Sequence, residues 1–143
     1  MRIKIIIGAK ITDRNLIELL KKYFKRLEVY HDIELIDFKS SGVESKDINK
    51  YKQFSRDCYL VGLDVEGKTM DSVTFAKKYL DNTFKDIAFL IGGADGLPND
   101  LKKECNELFS LSKLTFCHEH ALLVLAEQIY RGVMINKGHP YHK

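Results

Sequence analysis

Short, continuous apolar runs rich in β-branched residues recur along this chain, and each is followed by a stretch with helical apolar spacing. Ile3–Gly8 and Ile87–Ile91 are such runs, Asp57–Leu63 is a third strand, and Ile33–Phe38 alternates as a strand. A strand that is apolar on both faces must be covered on both, and parallel strands need helical crossovers to return the chain. The pattern therefore predicts an α/β fold: an open parallel sheet with helices on both faces. Thr12 or Asp13 caps a first helix whose apolar face is Leu16, Leu20, Tyr23, Phe24 and Leu27. Lys39–Lys46 reads as a loop and Asp47–Phe54 as a weak helix. Asp64 and Gly67 read as the end of the third strand. Asp71 or Ser72 caps a helix to about Leu80, and Pro98 opens another to about Leu108. A short strand is expected near Phe109–Leu111, and a long last helix over Glu119–Asn136 with Gly138 as its C-terminal stop.

At 143 residues the chain suits one domain spanning 1–143, with no internal repeat or linker. No stretch reaches the roughly 18 consecutive apolar residues of a membrane span. Arg2 and Lys4 interrupt the first apolar run, which reads as a strand and not as a leader. A cytoplasmic protein without membrane association is expected. Cys58, Cys105 and Cys117 are an odd set with no C-x-x-C spacing, which suits reduced thiols. The net charge is +3, and Glu127 is the last acidic residue, so Arg131, Lys137 and Lys143 place the whole excess in the tail. A local basic tail suits a phosphate-bearing partner. Ala121–Ala126 is an unbroken apolar run that covers more than one helix face. Such a helix needs burial all round, either inside the domain or against another copy of the chain, as in a homodimer.

Four constellations could carry chemistry. Ile91-Gly92-Gly93-Ala94-Asp95-Gly96-Leu97-Pro98 joins a strand to a helix, where open α/β sheets bind ligands. It matches neither G-x-G-x-x-G nor a phosphate-binding P-loop, so a tight turn and a nucleotide-like site both remain open. His118-x-His120 and His139-x-x-His142 lack the three or four converging ligands of a metal centre, and no metal is expected. Cys117-His118 is a weak nucleophile pair, since catalytic partners usually come from separate segments. The ending Gly138-His139-Pro140-Tyr141-His142-Lys143 offers a stacking ring and a histidine that titrates near neutrality.

Leu90–Leu97, Leu111–Phe116, Glu127-Gln128-Ile129-Tyr130-Arg131 and the Pro140-Tyr141-His142-Lys143 terminus occur in fixed order and spacing. Together they resemble the RlmH family of SPOUT-superfamily methyltransferases, and the likeness spans essentially the whole chain. The resemblance implies an α/β fold with a C-terminal trefoil knot and a homodimer. It also implies S-adenosyl-L-methionine as cofactor, and N3 of a pseudouridine in 23S rRNA of the assembled ribosome as the methylated atom. By position it implies a cofactor site made by Leu63 with Asp64, Gly92 with Gly93, and the run Leu111, Ser112, Lys113, Leu114, Thr115, Phe116 and Cys117. Arg131, Tyr141 and His142 would surround the target base, with His118 near the pocket; side-chain chemistry, apart from the resemblance, makes His142 the candidate proton acceptor. The tail is expected to close over the partner subunit's cofactor.

The chain departs from the family where an arginine commonly stands at Leu122 and a proline at Cys117, and its Lys39–Lys46 loop is thin in basic residues. Leu122 thus opens an alternative, a catalytically impaired relative that acts as a ribosome- or nucleotide-binding module. A flavodoxin-like flavin domain is a further class, and it would show flavin colour on purification.

Overall fold

Strands and helices alternate without exception in the computed structural model, which describes residues 1–143. The order is β1 (Arg2–Ile7), α1 (Arg14–Leu27), β2 (Asp32–Asp37), α2 (Glu44–Phe54), β3 (Tyr59–Lys68) and α3 (Ser72–Tyr79). Then come β4 (Asp86–Ile91), α4 (Asn99–Glu104), β5 (Glu107–Phe109) and α5 (His118–Asn136). The strands form one sheet in the order β2-β1-β4-β3-β5, and every neighbouring pair is parallel. Ile5 of β1 stands opposite Leu35 on one side and Phe89 on the other.

The period-2 alternation of a strand sorts these side chains between two cores. Ile3, Ile5, Ile7, Ile87, Phe89, Ile91 and Val61 face the larger one, with Leu16, Leu20 and Leu27 of α1, Phe75 and Tyr79 of α3, and Leu122, Leu125, Ile129 and Val133 of α5. Ile6, Ala88 and Leu90 face the smaller core with Phe38, Tyr51 of α2, Leu97 and Leu101 of α4. Helices thus cover both faces, as the apolar runs predict. The first cap is Asp13, whose carboxylate accepts from the N–H groups of Asn15 and Leu16. Asp71 caps α3 by accepting from Thr74 N, and Gly138 sits at φ +70 just past α5.

Several boundaries differ from expectation. β3 runs on past Asp64 and Gly67, because the chain bulges between Leu63 and Lys68 and then rejoins β5 at Phe109. Gly67 is a packing residue there: a Cβ on it would lie 2.7 Å from the Leu108–Phe109 backbone. α4 ends at Glu104 and not near Leu108, and β5 starts at Glu107, ahead of Phe109. Asn106 causes this. Its N–H donates to Leu60 O at 2.9 Å, while its side-chain oxygen accepts from Leu60 N at 2.8 Å, pulling the segment into the sheet. Pro98 is the N-cap of α4 and not its first helical residue. α2 also starts earlier, at Glu44, since buried Asp47 accepts hydrogen bonds from Ser40 and Ser41 and folds the preceding loop onto the helix.

Candidate active site

β3 leads to α3 against the larger core, whereas β4 leads to α4 against the smaller one. Connections that part to opposite faces leave a crevice at the carboxyl ends of the strands. Here it is a cleft of about 490 Å³. Three returns of the chain wall it: Leu63–Val65 from β3, Ile91–Leu97 from β4, and the segment after β5 from Ser110 to His118.

Backbone economy shapes the second wall. Ile91 O, at the end of β4, accepts from Gly8 N at 3.1 Å and from the Tyr51 hydroxyl at 2.6 Å. Gly96 N then donates to Gly93 O at 3.0 Å, with Gly96 at φ +76. The turn is so tight that a Cβ on Gly92 would lie 2.1 Å from the Gly96 carbonyl carbon. The third wall is pinned by its own serines: Ser110 Oγ donates to Ser112 O at 2.8 Å, and Ser112 Oγ accepts from Leu114 N at 3.0 Å. Cys117 is the N-cap of α5 and makes no side-chain cap, so the first-turn N–H groups have no side-chain partner.

The lining is chemically mixed. Leu63, Ile91, Leu97, Leu111 and Phe116 make an apolar slot, and backbone amides, Ser112, Thr115 and the Asp64 carboxylate supply polar groups. Asp64 pairs with Lys102 at 3.4 Å. This set fits S-adenosyl-L-methionine: an apolar slot for a flat base, donors and acceptors for hydroxyl and carboxylate groups, and one nearby carboxylate compatible with a sulfonium charge. The volume lies within the usual range for small-molecule sites. No group of three or more His, Cys, Asp or Glu side chains converges to hold a metal.

Of the residues expected around the cofactor, Leu63, Asp64, Gly92, Gly93, Leu111, Ser112, Leu114, Thr115, Phe116 and Cys117 all line the cleft. Lys113 is exposed and does not. His118 lines it too, at the start of α5.

Arg131, Tyr141 and His142 gather elsewhere, on the C-terminal half of α5. Thirteen residues separate His118 from Arg131, about 20 Å along a helix. Their organiser is Glu127, a residue that sequence motifs alone leave without a role. Its Oε1 accepts from Arg131 Nε at 3.0 Å, Arg131 Nη2 at 2.8 Å and the Tyr141 hydroxyl at 2.9 Å. The i, i+4 spacing of Glu127 and Arg131 was the available signal. Arg131 also stacks over the Tyr141 ring at 4.8 Å.

Two protonation states follow. Burial, then the Glu127 carboxylate, pushes the Tyr141 hydroxyl up to about 12, so it is a donor at neutral pH. Arg131 Nη1 lies 3.1 Å from His142 Nδ1. A guanidinium can only donate, so Nδ1 accepts and a neutral His142 carries its proton on Nε2. Leu122, by contrast, is fully buried in the larger core. Its side chain serves the packing of that core.

The family described as "Predicted SPOUT methyltransferase" matches residues 1–142. Ribosomal RNA large subunit methyltransferase H of Acholeplasma laidlawii is 39% identical over 148 residues, with 100% of both chains covered. The protein of that name from Streptococcus thermophilus is 39% identical over 160 residues, also with 100% of both covered. Among solved structures, a probable methylase family protein from Haemophilus influenzae superposes over 99% of this chain and 70% of its own, with a TM-score of 0.66. At 12% identity that likeness concerns the fold. By both its family match and its full-length relatives, this chain belongs to the SPOUT methyltransferases and, within them, to the ribosomal RNA large subunit methyltransferase H family.

Proposed function

We propose that this chain transfers a methyl group from S-adenosyl-L-methionine to N3 of a pseudouridine in large-subunit 23S rRNA. We propose further that it acts in the cytoplasm as a homodimer on the assembled ribosome. The observation that carries the reading is the cleft built from three chain returns, on a chain whose full-length relatives are named as large-subunit rRNA methyltransferases. The same three returns support a knotted C-terminal region.

The bound cofactor supplies an electrophilic methyl group on a sulfonium. The protein must exclude water, align the nucleophile and remove its proton. The apolar slot and the pinned Ser110–Leu114 turn do the first two. For the third, a group of the protein must take the proton of N3–H so that the N3 lone pair is free for the bound cofactor's methyl group. The Arg131 guanidinium stabilises the developing anion. His142 Nδ1 is the basic nitrogen of the cluster, and it takes the N3 proton once its contact with Arg131 opens. Tyr141, held as a donor by Glu127, positions the ring and accepts no proton.

Two features support a site shared between subunits. Within one chain Arg131 stands about 20 Å along the helix from His118 at the cleft, although His142 shares a depression with Leu111 of the cleft wall. Around the cleft and α5, Ala121, Leu123 and Val124 are only half-buried, while Leu114 and Phe116 are exposed. A second copy would cover this apolar margin and bring its own tail to the cleft.

The test is methyl incorporation from labelled S-adenosyl-L-methionine into ribosomes lacking the modification, followed by nucleoside analysis. Label on N3 of pseudouridine is expected, and label on another position or none would overturn the reading. His142→Ala should abolish turnover with cofactor affinity unchanged by calorimetry; undiminished turnover would remove His142 as proton acceptor.

A further inference from the structure

The positive charge of this chain is concentrated in two segments that the fold packs side by side. Helix α1 holds Arg14, Lys21, Lys22, Lys25 and Arg26 against Glu18 alone, a net +4, and residues 128–143 hold +3. The rest of the chain is therefore net −4 within a total of +3. Among the nearest acids, Asp13 is used as the N-cap of α1, and Glu28 lines a separate depression with Arg2 and Asp32.

An unbroken series of contacts joins the two segments. Arg26 lies over the Tyr130 ring of α5 at 5.6 Å, and Tyr23 packs on the same ring at 5.9 Å. Tyr130 meets Tyr141 edge-on at 4.8 Å, and Arg131 stacks over Tyr141. Lys21, Lys22 and Lys25 are exposed on the same helix, with Lys22 one turn before Arg26. Lys21 has a single ion pair, to Glu18 at 3.4 Å, while Lys22 and Lys25 have none.

Fold stability does not explain the stripe. Lys25 and Arg26 suit the negative C-terminal end of α1, but that field fades within the last turn and leaves Lys21 and Lys22 unaccounted for. Like charges at i, i+4, here Lys21 with Lys25 and Lys22 with Arg26, oppose helix formation. A polyanion relieves that repulsion.

We infer that the exposed face of α1 is a docking surface for the RNA phosphate backbone that flanks the target nucleotide, continuous with the Arg131–Tyr141–His142 cluster. This rests on the function proposed above. Lysines on a regular face grip phosphates and set register, while the aromatic and guanidinium groups of the tail meet the base. The surface supplies the grip that the lysine-poor loop before α2 does not.

The test uses the full-length protein carrying Lys21→Glu, Lys22→Glu and Lys25→Glu together, with the triple Lys→Gln variant beside it. Unmodified assembled ribosomes and poly-L-glutamate are the probes, and direct binding is read across a salt titration. Wild type should bind ribosomes with a steep salt dependence. The Glu variant should bind at least about tenfold more weakly at moderate salt, and both variants should show a shallower slope, by roughly 0.7–0.9 for each phosphate that is no longer neutralised. Cofactor affinity by calorimetry should stay unchanged and shows that the variants are folded. Ribosome binding with wild-type strength and slope in the Glu variant would overturn the proposal. Binding of poly-L-glutamate as tight as that of ribosomes would overturn it in favour of an acidic protein partner. Wild type that binds ribosomes through α1 yet transfers no methyl group would refute the function and leave the surface standing.

Discussion

The cleft and the tail cluster are built by opposite means. The cleft is a product of backbone: three returns of the chain, a glycine, Gly92, that admits no Cβ, a carbonyl held by two donors and a pair of serine-pinned turns. The tail cluster is a product of side chains, in which one carboxylate oxygen of Glu127 gathers an arginine from its own helix and a tyrosine from beyond its end. Backbone geometry holds a ligand shape that does not vary. Side-chain geometry can open, and a histidine that must exchange an arginine contact for a proton needs an anchor of that kind.

Substitution should separate the two. Gly92→Ala ought to have the largest effect, because the new methyl meets backbone at 2.1 Å with no flexible atom to yield. A stability loss of about 3 kcal/mol is expected, with cofactor binding weakened more than about a hundredfold, both readable by calorimetry. Glu127→Gln comes next and acts on the other region only. It keeps the shape but removes the charge that Arg131 and Tyr141 share. A loss of roughly 1.5–3 kcal/mol of positioning corresponds to about ten- to a hundredfold in single-turnover rate, at unchanged cofactor affinity. A parallel fall in affinity would mean that the regions are not independent.

Glu107 provides a pH test remote from both. Burial raises its carboxyl, but the ammonium groups of Lys78 and, at 3.6 Å, Lys68 outweigh that and hold it below its ordinary 4.5. A depressed carboxyl stabilises the fold above its unfolded value and loses that contribution as pH falls through the folded one. Wild type should therefore lose stability as pH falls below about 4.5, and Glu107→Gln should lack that loss while being less stable at neutral pH. Lys68 is largely exposed and Lys78 partly so, so about 1–2 kcal/mol is expected in urea unfolding. Tyr51→Phe should be mildest. It removes one of two donors to Ile91 O, costing about 1 kcal/mol in the same assay, with the tail-dependent rate unaltered.

Much of the fold was legible because local signals and tertiary demands agree. The apolar runs of β1 and β4 are buried strands, the alternating run of β2 is an edge strand, and Asp13, Asp71 and Gly138 cap where short-range chemistry places them. Misplaced boundaries came from residues whose role is long-range. Gly67 looks like a turn because its cause, the Leu108–Phe109 backbone, lies far along the chain. Asn106 looks like helix interior because its partner is Leu60. The cleft residues came from family resemblance together with the rule that ligands sit beyond strand ends. Glu127 has no signature of its own because one of its partners, the Tyr141 hydroxyl, is set by how the tail folds back. Leu122 looked like a lesion only because burial cannot be read from a substitution.

Both borders of the sheet discourage further strands. β5 is three residues long, and β2 carries Asp32 and Glu34 exposed along its outer margin. Open strand edges recruit other chains indiscriminately, and short or charged ones do not. Copies of this chain therefore cannot extend one another's ladders, and association is left to helices and loops, where shape decides which partner fits. The least conspicuous strands of the sheet thus act as a safeguard against aggregation.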